Sequence, residues 1–152
     1  MAWVAVTAEE LLRSLTGPEK AAVSAAALAS GQDDPVPGIL ADVIDEVRGY
    51  IAANSQNRLG LTGTIPEKLR ITVINRCRYE ALTRMPVSKS ILTEERVKAN
   101  EAARMLLRDV AAGRFQVEEP TEPHPTEGGG PAVRLVRNPS ASRHPFAGLG
   151  SS

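Results

Sequence analysis

TEERVKANEAARMLLRDVAAG, residues 93–113, is the stretch whose reading decides the fold. Ala99, Ala103, Leu106 and Val110 recur at intervals of four, three and four residues, with Ala102 and Leu107 beside them. At 3.6 residues per turn these positions form one apolar stripe. Glu94, Lys98, Glu101, Arg104 and Arg108 fall on the opposite side. Thr93 is a suitable N-cap, Glu94 and Glu95 suit the positive end of the helix, and Gly113 can end it with a positive φ. Leu106, Leu107 and Val110 each contribute roughly 1.5–3 kcal/mol if fully buried. Such a stripe needs other helices to cover it.

The preceding chain supplies them. Trp3 to Val6 reads as extended. Thr7 with Glu10 makes a capping box for a short helix edged by Leu11, Leu12 and Leu15. Thr16 with Glu19 repeats the device, with Pro18 in the first turn, and opens a second helix running to about Ala29 before Gly31. Gln32 to Pro37 is a loop, and from Pro37 the residues Leu40, Val43, Ile44, Val47 and Ile51 keep to one helical face. Asp42, Asp45, Glu46 and Arg48 take the other, which reads as a solvated charged face. Gly49 costs about 1 kcal/mol against alanine there, and a close helix–helix contact would explain it. Asn54 to Gly63 is a polar loop long enough to carry a contact.

Thr64 and Glu67 read as a third capping box around Pro66, opening a helix from Glu67 to about Met85. The β-branched run LRITVI suits a strand, but the caps and the length favour a helix. Ile71, Val73, Ile74, Cys77, Ala81, Leu82 and Met85 give it a broad apolar arc, the mark of the central helix of a bundle. Arg70 and Arg78 interrupt that arc. Each must pair with an acid, reach outward to water, or face another subunit, so both are candidates for subunit contact. The fold class expected is all-α: a bundle of four to five helices over residues 1–119, then an extended tail over 120–152.

The tail is read from its punctuation. Pro120, Pro123, Pro125, the glycines at 128–130, Pro131, Pro139 and Pro145 rule out a helix and disfavour a packed sheet. Within it Val133, Leu135 and Val136 alternate with Arg134 and Arg137, a segment able to add as a strand to a partner, and Phe146 and Leu149 form a second apolar group.

Composition excludes several functions. Formal net charge is zero, so no field draws the whole molecule to nucleic acid or an anionic membrane. Arg76, Arg84 and Lys68 share one side of the central helix and could meet phosphates, but no tight turn leads to a polar recognition helix. The single cysteine, Cys77, reads as a core residue in a reducing compartment. His124 and His144 are isolated, no phosphate loop follows the glycine run, and Ser88 and Ser90 have no base nearby. No enzyme, cofactor or metal is expected. Neither a membrane span nor a basic-then-apolar leader is present, which points to a soluble protein of the cytoplasm.

The order of elements resembles the head–tail connector (adaptor, or neck) proteins of long-tailed double-stranded DNA phages. The likeness lies in VTAEELL at 6–12, ILADVIDEVRGYI at 39–51, RCRYEAL at 76–82 and RMLLRDVAAGRF at 104–115, and covers roughly residues 4–119. The resemblance implies a structural protein of the virion, assembled in the host cytoplasm. It would form a ring, usually a dodecamer, between the portal protein and the next neck or tail component. DNA would pass through the channel without sequence-specific binding. By the same likeness, residues 120–152 would dock on the portal; the apolar residues punctuating that segment make Val133, Arg134, Leu135, Val136, Arg137, Phe146 and Leu149 the expected contacts. A stopper or tail-completion protein is the neighbouring reading, and a small helical DNA-binding or regulatory protein is the alternative from another class.

Overall fold

The first turn of each helix shows how this chain enters regular structure. The computed structural model describes residues 2–27, 31, 33–84 and 91–121. In α1 (Ala8–Ser14) the capping box is complete: the Glu10 backbone N–H donates to the Thr7 hydroxyl, and the Thr7 N–H donates to the Glu10 carboxylate. At α2 (Gly17–Ala27) the Thr16 N–H donates to the Glu19 carboxylate at 2.7 Å. The end placed near Ala29 lies outside the described residues.

α3 (Pro35–Ala53) begins earlier than the sequence suggested. Asp34 is its N-cap and accepts from the Val36 N–H, so both Pro35 and Pro37 sit in the first turn, where a missing donor costs nothing. Its apolar stripe is the expected one lengthened at the front: Val36, Ile39, Leu40, Val43, Ile44, Val47 and Ile51 are all buried. Gly49 is exposed, and a Cβ there would meet nothing within 4 Å. The close helix contact inferred from that glycine does not exist.

The third capping box is also corrected. Thr64–Pro66 is a strand, β2, paired antiparallel with β1 (Trp3–Ala5) in the register Trp3 to Pro66, Val4 to Ile65 and Ala5 to Thr64. The Thr64 hydroxyl donates to the Leu61 carbonyl and caps no helix. One turn of 3-10 helix, Glu67–Leu69, then leads into α4 (Arg70–Arg84). Ile65 and Leu69 on this entry are fully buried.

α4 and α5 (Glu94–Ala111) pack against each other and both pack on α3, forming the centre of the core. α4 buries Thr72, Val73, Arg76, Cys77, Ala81 and Leu82, whereas Ile71 is turned out to solvent. The expected stripe of α5 is rotated: Asn100, Ala103, Leu107 and Val110 are buried, Leu106 is partly so, and Ala102 is exposed. Thr93 stands at the N-cap without a side-chain cap bond. Gly113 ends the helix at φ 76°, with its N–H on the Val110 carbonyl and the Arg114 N–H on the Asp109 carbonyl. That pair of bonds is a Schellman closure. Five α-helices and one two-stranded ribbon among the described residues make this an all-α bundle. No described helix is long and apolar enough to cross a membrane.

Candidate functional site

Two internal ion clusters fix the helices before any surface is presented. Glu19 of α2 is buried and takes Arg96 Nε of α5 at 2.6 Å and Arg78 Nη2 of α4 at 3.1 Å. Burial alone would raise its pKa. The bonds from Arg96, from the Thr16 N–H and from Arg78 outweigh this and bring it from 4.5 down to about 2. Arg76 is the second centre. It donates to Glu46 of α3 at 2.7 Å and to Asn100 of α5 at 2.8 Å, and pairs with Glu80 of its own helix at 3.0 Å. Burial pulls its guanidinium pKa down, but Glu46 and Glu80 leave it above its ordinary value. Each cluster therefore ties three helices together through charge-assisted bonds.

These clusters settle where several singled-out residues sit. Arg78 is paired within the chain to Glu19, and Arg70 to Glu10. Arg76 is spent in the core, and Arg84 reaches Asp42 at 3.2 Å and Glu80 at 3.4 Å. Of the three bases once aligned toward phosphates, Lys68 alone stands exposed without an ion pair among the described residues. Val133, Arg134, Leu135, Val136, Arg137, Phe146 and Leu149 lie outside the described residues.

A polar recess lies where the long loop meets the segment after α5. Asn54, the C-cap of α3, starts a turn in which the Asn57 N–H donates to the Asn54 carbonyl and the Gln56 N–H to its side chain. Asn54 Nδ2 would stand 3.3 Å from a Cβ at Gly113, so the end of α5 seats directly on this loop. Between them opens a groove of about 560 Å³, lined by Asn54, Gln56, Arg58, Gln116, Glu118 and Glu119 among others. The loop is held from behind. Arg48 donates to the carbonyls of Leu61 at 2.9 Å, Thr64 at 2.6 Å and Gly60 at 3.0 Å, and its guanidinium lies 5.6 Å from the Trp3 ring centroid. Burial lowers the Arg48 pKa, with Asp45 opposing. Trp3 Nε1 donates to the Glu118 carbonyl at 2.8 Å, which moors the exit of the chain to β1.

Sequence reading flagged the loop from Asn54 onward but placed Arg48 on a solvated face and gave Glu118 no role. The one available signal was the length of the loop together with the chain's single tryptophan. Cys77 is buried, and burial pushes its thiol pKa up to about 12. Among the described residues no group of three or more His, Cys, Asp or Glu side chains could hold a metal ion.

Fold and groove together define a small helical protein braced by ion pairs, with its polar recess at the point where the chain leaves the bundle. The family model described as Bacteriophage Mu, Gp36 matches residues 4–135, and the chain belongs to that phage family. No curated protein and no solved structure matches it.

Proposed function

We propose that this protein is a non-catalytic structural component of the phage virion. In this reading it is a head–tail adaptor whose helical body is one wedge of a ring between portal and tail. The observation that carries it is membership of a phage protein family over residues 4–135, a span that takes in the bundle and continues through Val133, Arg134 and Leu135. Its construction supports a load-bearing role. Glu19 and Arg76 each lock three helices, and the segment leaving α5 is fastened to β1 by Trp3. A wedge in a ring must hold its angle, and buried charge-assisted clusters resist shear better than alanine packing alone. Of the arginines aligned toward phosphates in the sequence, Arg76 is paired in the core and Arg84 is paired to Asp42 at the surface, which favours this reading over a DNA-binding one.

In this assignment residues 120–152 reach the portal, with Val133–Arg137 and Phe146–Leu149 as anchors. The test is to mix the purified chain with its cognate portal and look for rings by electron microscopy. The native chain should decorate portal as a closed ring. A chain ending at residue 119 should keep its helical circular dichroism and fail to join portal. Assembly of the truncated chain at the native level refutes the docking role of the tail, and absence of any ring with the native chain refutes the adaptor reading.

A further inference from the structure

The two-stranded ribbon is closed on one side only. Its register sets Trp3 against Pro66, Val4 against Ile65 and Ala5 against Thr64. Pro66 has no N–H, and the Thr64 N–H is held by the Leu61 carbonyl, so the pair that exchanges both hydrogen bonds is Val4 with Ile65. Such pairs alternate along an antiparallel ladder, and the N–H and C=O groups of Trp3 and Ala5 therefore point away from β2. Among the described residues no backbone group outside the ribbon bonds to them. The segment after α5 meets β1 through the Trp3 indole, not through its backbone. The far edge of β2 is shut, because Arg48 takes the Thr64 carbonyl together with those of Gly60 and Leu61. Folded proteins blunt an open strand edge with charge, proline or a bulge. Residues 2–6, AWVAV, carry neither charge nor proline, and Ala5 is exposed.

An apolar recess adjoins this edge. Ala2, Trp3, Leu61, Thr64, Pro120 and Thr121 enclose about 310 Å³, and Leu61 stands half in solvent. Trp3 and Thr64 share one face of the ribbon, so the recess opens on that face. An open edge beside a recess is how a sheet accepts an extended peptide: the backbone supplies the bonds and the recess takes alternate side chains.

The chain itself carries a segment that fits. Thr121 in the recess wall is the last described residue, so residues 122–152 set out from this spot. Residues 122–132 span at most about 35–40 Å when extended, against about 10 Å for β1, so residues 133–137 can reach either end of the strand. A tether this short holds the segment at an effective concentration on the order of millimolar. In VRLVR at 133–137, Val133 and Leu135 fall on one face of a strand. The family match begins at Val4, inside β1, and continues to Leu135. We propose that Val133–Arg137 adds as a third strand to the open edge of β1 in the same chain, with Val133 and Leu135 over the recess. The free chain then holds this segment against its own body, and a partner that takes the segment must first displace it from β1. The inference concerns the free chain and stands whichever protein is the later partner.

The test is backbone amide exchange, followed by nuclear magnetic resonance, on the full-length native chain and on the full-length variant L135P/V136P. Of two adjacent strand residues one must aim its N–H at β1, so the paired prolines remove a donor in either register. In the native chain the Trp3 and Ala5 amides should exchange about tenfold or more slowly than in the variant. The Val4 amide, turned toward Ile65, should exchange alike in both. Tenfold dilution should leave the native protection unchanged. Equal exchange of the Trp3 and Ala5 amides in the two proteins overturns the proposal, and so does a difference at Val4 as large as that at Ala5. Protection that falls on dilution also overturns it, since the occupant is then a second copy. Protection that arises only when portal is added does the same, making the occupant a partner's strand. Ring formation on portal is scored separately and bears on the adaptor reading alone.

Discussion

Replacing Glu19 with glutamine removes one negative charge from between Arg78 and Arg96 while keeping the shape of the side chain. In the folded protein this carboxyl has a pKa of about 2, against an ordinary 4.5. A folded value below the unfolded one means that the unfolded chain binds the proton more readily. The resulting stability is complete above about pH 4.5 and is lost as pH falls toward 2. At 1.36 kcal/mol for each pKa step, the difference is about 3 kcal/mol at neutral pH. The glutamine variant also leaves Arg78, whose side chain is only 12% exposed, without an anion. Urea unfolding followed by circular dichroism should place E19Q about 3 kcal/mol below the native chain at pH 7, with a melting point lower by on the order of 10 °C. The gap should shrink to a few tenths of a kcal/mol near pH 2, where the native carboxyl is itself protonating. A variant within 1 kcal/mol of native at pH 7, or a gap that stays constant between pH 5 and pH 2, would refute the reasoning.

Other substitutions probe separate parts of the structure. Gly49→Ala fills open space on an exposed stretch of α3 and should raise stability by about 0.5–1 kcal/mol, read from the denaturant midpoint. Gly60→Ala places a Cβ 2.7 Å from the Trp3 indole, so it should cost about 1–3 kcal/mol and shift the tryptophan fluorescence, whose only source is Trp3. Cys77 should react with a thiol reagent only at the rate of unfolding, because its sulfur is buried and its pKa is raised to about 12. Rapid labelling of the native protein at pH 8 would contradict that placement.

What was legible in the chain was local. The Thr7–Glu10 box, the stripe of α3 and the glycine stop of α5 depend on residues within a turn or two of one another, and all three stand in the structure. Apart from the early start of α3 and the contact inferred from Gly49, the misreadings needed a partner far away in sequence. Thr64-x-x-Glu67 has the spacing of a capping box, yet the strand it forms depends on Trp3–Ala5. Asp42, Asp45 and Glu46 read as one solvated face, but Glu46 answers Arg76 across 30 positions. Asn100 had no place in the expected stripe of α5, yet it is buried there because Arg76 donates to its side chain at 2.8 Å. Glu118 gave no signal because its environment is made by two helix ends and a loop that meet only in three dimensions.

The mooring of Trp3 to the Glu118 carbonyl has a mechanical consequence. Ala2 and Trp3 share a small recess with Pro120 and Thr121, so both ends of the described body come to one spot. Tension applied beyond Thr121 meets the Trp3–Glu118 bond before it reaches the last turn of α5. It passes through the indole to β1 and, by way of Arg48, into the middle of α3. A strap anchored in this way couples the exit of the chain to α3 rather than to α5 alone.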